Sequence, residues 1–176
     1  MNNRTQCTNQ DINCNKLGNL GESVIELGLS QVYKRIKITP KEINAQLKNA
    51  DITCQGFPKM GIPDVSVEVK TEFKHTGNFF WETWSDKTTG RQGWGYTSEA
   101  DDLYYLFWDT AIGYRIAGLK YKTFYFPYLK KNYPEIKQTK NEQGNESWGC
   151  LIPVDDKWLK PLRFDFNEAK KQLEKI

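Results

Sequence analysis

Histidine is nearly missing from this chain: His75 is the only one among 176 residues. Two-imidazole ribonuclease mechanisms and histidine-built metal nuclease centres therefore lack their side chains. Cysteine is sparse and badly spaced for metal. Cys7, Cys14, Cys54 and Cys150 form no C-x-x-C pair, and one histidine does not complete a usual Cys/His zinc pattern, so all four are read as free thiols. Charge of one sign is not in excess either. A net charge of +3 and a pI near 8.5 exclude a histone-like or basic-arm protein and confine any nucleic-acid contact to a local patch. No stretch approaches ~18 uninterrupted apolar residues, and the asparagine-rich start lacks the charged-then-apolar order of a signal peptide. The expectation is a soluble, cytoplasmic protein with no membrane partner. The absence of a P-loop, a G-x-G-x-x-G turn and internal repeats sets aside nucleotide-driven and redox classes.

What is present is aromatic. Aromatic residues make up 14% of the chain within a hydrophobic share of 38%, enough for one domain with a real core. Such rings fill cores or stack on bases, and composition does not choose between these uses.

Residues 1–18 show almost no apolar periodicity and read as a flexible lead-in, leaving 19–176 as the folded domain. From Asn19, the residues Leu20, Val24, Ile25 and Leu27 recur at helical spacing, with Asn19 as N-cap and Glu22 in the first turn. Thr39-Pro40-Lys41-Glu42 has the cap, proline and capping-box order that starts a second helix, running to about Asn49. Further strands are expected at Phe79–Trp84, Leu103–Trp108, Tyr114–Leu119 and Trp148–Val154. The first of these is placed centrally in the sheet, and the middle two pair through the turn at 110–113. Thr97–Asp101 reads as a short helix start, Tyr121–Tyr133 as a helix entered or interrupted at Pro127, and Asn167–Ile176 as a closing helix.

The stretch from Asp51 to Glu82 organises the rest. Val65, Val67 and Val69 alternate with Ser66, Glu68 and Lys70, so a strand here carries valines on one face and an acid and an amine on the other. Ala50–Thr53 reads as a short strand, and Gly56, Pro58, Gly61 and Pro63 supply turn residues that fold it back alongside. The hairpin brings Asp51 beside Glu68 and Lys70. Two converging carboxylates suit Mg²⁺, a hard cation usually held by one or two carboxylates plus water and phosphate oxygens. A lysine beside them stabilises charge on a phosphate or orients a water. A solvated strand with its valines inward accounts for the same alternation.

An acid, sixteen intervening residues and then Glu68-Val69-Lys70 on the next strand resembles the PD-(D/E)XK nuclease-like superfamily. Gly21-Glu22 is similar to that superfamily's first helix, and Thr76-Gly77-Asn78 through Glu82 with Thr97–Asp101 resembles a small phage- and bacterium-type branch. The similarity covers residues 20 to 110. It implies an α/β domain of restriction-endonuclease-like type, with a mixed central sheet flanked by helices. It also implies a Mg²⁺-dependent endonuclease, with Mn²⁺ as the alternative ion, acting on DNA. Asp51 and Glu68 would bind metal, Lys70 would act on the water or developing charge, and Glu22 and Glu82 would be supporting acids.

Several positions keep two readings. Glu22 also suits a helix-dipole role, and Glu82, set among Phe80, Trp81 and Trp84, also suits a salt bridge to Lys70 or an arginine. Asp51 lacks a preceding proline, whereas Pro63-Asp64 is literal. Asp64 on the strand of Glu68 would lie about 13 Å from it, too far to share one ion. Lys87 and Arg91 in the Lys87–Gly95 turn, and Lys130 and Lys131 at the head of a loop-like basic stretch to Asn145, are candidates for phosphate contacts or for a solvated surface. A homodimer would supply the paired sites needed to cut both strands. The competing expectation is a nuclease-like fold that binds DNA or protein without cutting, such as a phage regulatory or anti-restriction factor.

Overall fold

Valine alternation forms a strand as expected: in the computed structural model of the chain, Val65–Glu72 is β3, with Val67 and Val69 buried on one face. The structure describes residues 14–33, 35–38, 50–118, 122–138 and 146–173. The expected helix from Thr39 to Asn49 and the lead-in up to residue 13 lie outside the described residues.

The chain opens with α1 (Cys14–Leu29), followed by β1 (Arg35–Ile38), β2 (Ile52–Gln55) and β3. β4 (Asn78–Asp86), β5 (Arg91–Gln92) and α2 (Trp94–Thr97) precede the adjacent strands β6 (Asp102–Phe107) and β7 (Ile112–Ala117). The last third contains α3 (Lys122–Asn132), β8 (Glu135–Lys137), β9 (Trp148–Pro153), β10 (Leu162–Asp165) and α4 (Asn167–Leu173). A mixed six-stranded sheet runs β1-β2-β3-β6-β7-β10, and a four-stranded sheet runs β5-β4-β9-β8. The α/β expectation holds, with a mixed sheet at its centre.

Within the larger sheet, β1, β2 and β3 form antiparallel pairs, while β6 lies parallel to β3 with Glu68 opposite Leu103 and Lys70 opposite Tyr105. A side-chain clamp sets the start of this parallel pair. Ser66 donates its backbone N–H and its hydroxyl to Asp101 Oδ2, each at 2.9 Å, and Asp101 N–H returns a bond to Ser66 O at 2.8 Å.

Two apolar cores flank the six-stranded sheet. On one face, Leu17, Val24 and Ile25 of α1 pack with Ile52, Val67, Val69 and Leu106, together with Phe166 beside α4. Leu17, Gly21, Val24 and Ile25 are all buried and lie at helical spacing, which gives α1 its single apolar stripe. Gly21 is required there. A Cβ on it would lie 1.9 Å from Thr71 Oγ1, so only glycine lets the helix approach β3 this closely. On the other face, Phe79, Trp81, Cys150 and Ile152 of the smaller sheet pack with Leu103, Tyr105, Phe107, Tyr114 and Ile116, and Leu129 of α3 joins them.

Four local expectations change. α1 begins at Cys14, so residues 14–18 are helical, Asn19 is not a cap, and Glu22 sits near the helix middle. Phe79–Trp84 is an interior strand, but of the second sheet, where Phe79 and Trp81 pack against β6 and β7 and Trp81 also meets Trp94 of α2. The helix near Thr97 ends there rather than starting, and the basic stretch after Lys130 includes a strand, β8. Among the described residues, no helix is long and apolar enough to cross a membrane.

Candidate active site

Asp51 stands one residue before β2 and extends the β2–β3 ladder beyond its last backbone pair. Its N–H donates to Val67 O at 2.9 Å, and its carboxylate Oδ2 accepts the Val69 N–H at 2.7 Å. The carboxylate takes the place of a strand carbonyl, which fixes its position on the edge of β3 and leaves Oδ1 outside this bond.

Glu68 lies between those two backbone contacts and points to the opposite face from the valines. It is 5% exposed, its Oε1 is ion-paired with Lys70 Nζ, and its Oε2 accepts the Ser98 hydroxyl at 3.1 Å. Burial pushes its carboxyl above the usual range, the Lys70 ammonium opposes that push, and the charge of Asp51 adds to it. Lys70 is raised as well. Burial alone would lower it, but Glu68 and then Asp51 outweigh burial, with Glu82 contributing further, so the ammonium stays charged.

Glu82 reaches this point from β4 in the other sheet. Its Oε1 accepts the Ser147 hydroxyl at 2.9 Å and its Oε2 accepts the Trp94 N–H at 3.3 Å, while Lys70 Nζ sits 5.7 Å from the Trp94 ring centroid. One lysine therefore lies in the field of three carboxylates drawn from two sheets. These acids surround the ammonium rather than a common point: among the described residues, no group of three or more His, Cys, Asp or Glu side chains is placed to hold a metal ion. Asp51 and Glu68 remain a two-carboxylate, all-oxygen donor pair, which fits the sparse protein ligation typical of Mg²⁺.

The other sequence candidates separate. Asp64 turns into the hairpin, where its Oδ1 accepts the Gly56 N–H at 2.9 Å, so Asp51 is the aspartate beside Glu68. Glu22 rides on α1, which packs on the Val67–Val69 face. Lys87 is paired with Glu135 at 2.8 Å and stands 3.8 Å over the Trp148 ring. Arg91 donates from Nε to Ser85 Oγ at 3.0 Å, Lys130 lies 5.9 Å over the Tyr96 ring, and Lys131 is exposed at the end of α3. None of these four basic residues touches the Glu68–Lys70 pair in the described contacts.

Ser98 and Trp94 belong to the site but were not assigned to it from the sequence. Ser98 lies in the Thr97–Asp101 segment singled out above, and Trp94 in the glycine-rich turn, yet neither position signals that it faces Glu68 or Glu82. Gly95 makes the approach of α2 possible, since a Cβ there would lie 2.5 Å from Glu82 O. No protein-family model matches this chain, and no curated protein or solved structure matches it.

Proposed function

We propose that this protein is a Mg²⁺-dependent endonuclease that hydrolyses DNA phosphodiester bonds at Asp51, Glu68 and Lys70. The observation that carries the reading is the convergence of Asp51 and Glu68 from neighbouring strands beside one charged lysine. The restriction-endonuclease-like resemblance is supported by the sheet order in which the antiparallel β1-β2-β3 set meets a parallel β6.

Asp51 and Glu68 would hold the ion, Mg²⁺ or Mn²⁺, which when bound supplies Lewis-acid polarisation of a phosphoryl oxygen and a water of lowered pKa. Lys70 keeps its proton and donates hydrogen bonds to charge developing on the phosphate or to the attacking water. Ser98 orients Glu68, and the charge of Glu82 adds to the field that keeps the ammonium protonated. Glu22 keeps a supporting role only through the resemblance. The cytoplasm is the compartment that suits a DNA substrate, and a homodimer would be needed for concerted cutting of both strands.

A second reading, a nuclease-like factor that binds DNA or protein without cutting, is favoured by one observation. Both oxygens of Glu68 are engaged, one by Lys70 and the other by Ser98. Incubation of the purified protein with plasmid, linear and branched DNA in Mg²⁺ or Mn²⁺, with EDTA as control, separates the two. Metal-dependent cleavage that disappears in Lys70→Ala is expected; binding without cleavage on every substrate favours the second reading.

A further inference from the structure

A cavity of about 390 Å³ is lined by residues of β4, α2 and α3 and includes neither Glu68 nor Lys70. Its walls include Trp81, Trp84, Tyr96 and Phe126, and its polar groups include Lys87, Lys130 and Glu135. The volume is within the ~300–1,000 Å³ common for small-molecule sites. Tyr96 and Phe126 stack on one another with centroids 4.4 Å apart at 15°, so each ring braces the other and covers one of its faces, and Trp84 stands 6.2 Å from Tyr96. Lys130 is exposed and lies 5.9 Å over the Tyr96 ring. At the cavity's polar end, Glu135 is fixed by Thr83 Oγ1 at 2.6 Å and by Lys87 Nζ at 2.8 Å.

Flat aromatic walls with an exposed cation and a fixed carboxylate complement one class of ligand. A nucleobase supplies a π-face to the rings and exocyclic N–H groups to a carboxylate, and its phosphate suits an exposed lysine. The cavity also adjoins the site above. α2 carries Trp94 beside Glu82 and Tyr96 in the cavity wall, and β4 carries Glu82 two residues from Trp84, about 7 Å along a strand. A base stacked inside a duplex is not able to enter such a cavity, whereas an unpaired or flipped one is.

We propose that this cavity seats one unpaired nucleobase of a nucleic-acid strand, stacked on an outer face of the Tyr96–Phe126 pair, with Lys130 as the phosphate contact. The assignment rests on the nucleic-acid reading above and narrows its substrate to strands with an unpaired nucleotide. Because the cavity is separate from Asp51 and Glu68, it binds without a metal ion.

The test is a binding titration of the full chain in EDTA. The probes are a short labelled single-stranded oligodeoxynucleotide and the blunt duplex of the same sequence, followed by anisotropy and by tryptophan fluorescence. Single-strand binding about tenfold tighter than duplex binding, with tryptophan quenching, is expected. Tyr96→Ala should weaken single-strand binding about tenfold, and the exposed Lys130→Gln should weaken it severalfold while lowering the salt slope by about 0.7. If Tyr96→Ala does not fold, Lys130→Gln decides. Equal affinity for both probes, wild-type binding in a folded Lys130→Gln, or the same proportional loss on duplex and single strand would each overturn the proposal. The nuclease reading fails separately: single-strand binding that depends on Lys130, with no cleavage of any DNA in Mg²⁺ or Mn²⁺, leaves the cavity standing. Cleavage of blunt duplex unaffected by Lys130→Gln, with no preference for single strands, leaves the nuclease standing and removes the cavity.

Discussion

Val69 donates its backbone N–H to the Asp51 carboxylate at 2.7 Å, so one side chain is at once a strand-pairing group and a candidate metal ligand. Asparagine keeps an acceptor oxygen but loses the charge, whereas alanine leaves a strand N–H without its partner. Asp51→Asn should therefore unfold within ~1 kcal/mol of the native protein in urea, and Asp51→Ala should lose about 1–3 kcal/mol. Both should lack cleavage. Equal stability of the two variants would mean that the bond to Val69 contributes nothing.

Lys70 and Glu68 are tested by changing the shape of the cation and then by removing its charge. Lys70→Arg keeps a cation but not the compact ammonium, and Lys70→Met keeps only the stem and leaves Glu68 buried without a counter-charge. The methionine variant should lose about 2 kcal/mol at neutral pH. Cleavage should fall at least about a hundredfold in both variants, as expected when a positioned charge in the transition state is lost. An active Lys70→Met would remove the lysine from the chemistry.

Asp156 should contribute to the acid limb of stability. Its Oδ2 accepts Tyr133 and Tyr128 hydroxyls at 2.5 and 2.9 Å, and its Oδ1 accepts the N–H groups of Leu159 and Trp158 at 2.7 and 2.9 Å. Burial alone would raise its carboxyl, but Tyr133 first and then the other donors bring it below the usual value. A depressed folded pKa stabilises the fold above the unfolded value of ~3.9 and loses that contribution as pH falls through the folded one. Asp156→Asn should be less stable by about 1–3 kcal/mol at pH 7, and the difference should shrink below pH ~4. A constant difference across that range, measured by denaturation at each pH, would refute this assignment.

Gly21 and Thr71 form a test of packing. Gly21→Ala places a methyl 1.9 Å from Thr71 Oγ1, and overpacking of this kind costs about 1–3 kcal/mol. Thr71 Oγ1 is buried without a hydrogen-bond partner, so Thr71→Ala alone should cost little. The double variant should recover part of the loss, and a thermodynamic cycle measures that coupling. Strict additivity would mean that α1 moves away instead of clashing.

Period-two alternation in 65–70 and the turn residues between Gly56 and Pro63 made β3 and its hairpin partner legible, and with them the nearness of Asp51, Glu68 and Lys70. The pairing of β6 with β7 was legible for the same local reason, a short turn between two apolar runs. The start of α1 was not. Leu17, the first buried residue among those described, is separated from Val24 by glycines that look like breakers until Gly21 is seen pressed against Thr71.

Local sequence thus determined which strand carries Glu68 and Lys70 and which acid is turned toward them, because strand geometry forces residues two apart onto one face. Only the tertiary structure decided that Phe79–Trp84 belongs to a second sheet, that Glu82 and Ser98 close on the pair, and that α1, which carries Glu22, packs on the valine face. Those outcomes depend on which apolar faces meet across the two cores, and no pattern within a single stretch of chain encodes that pairing.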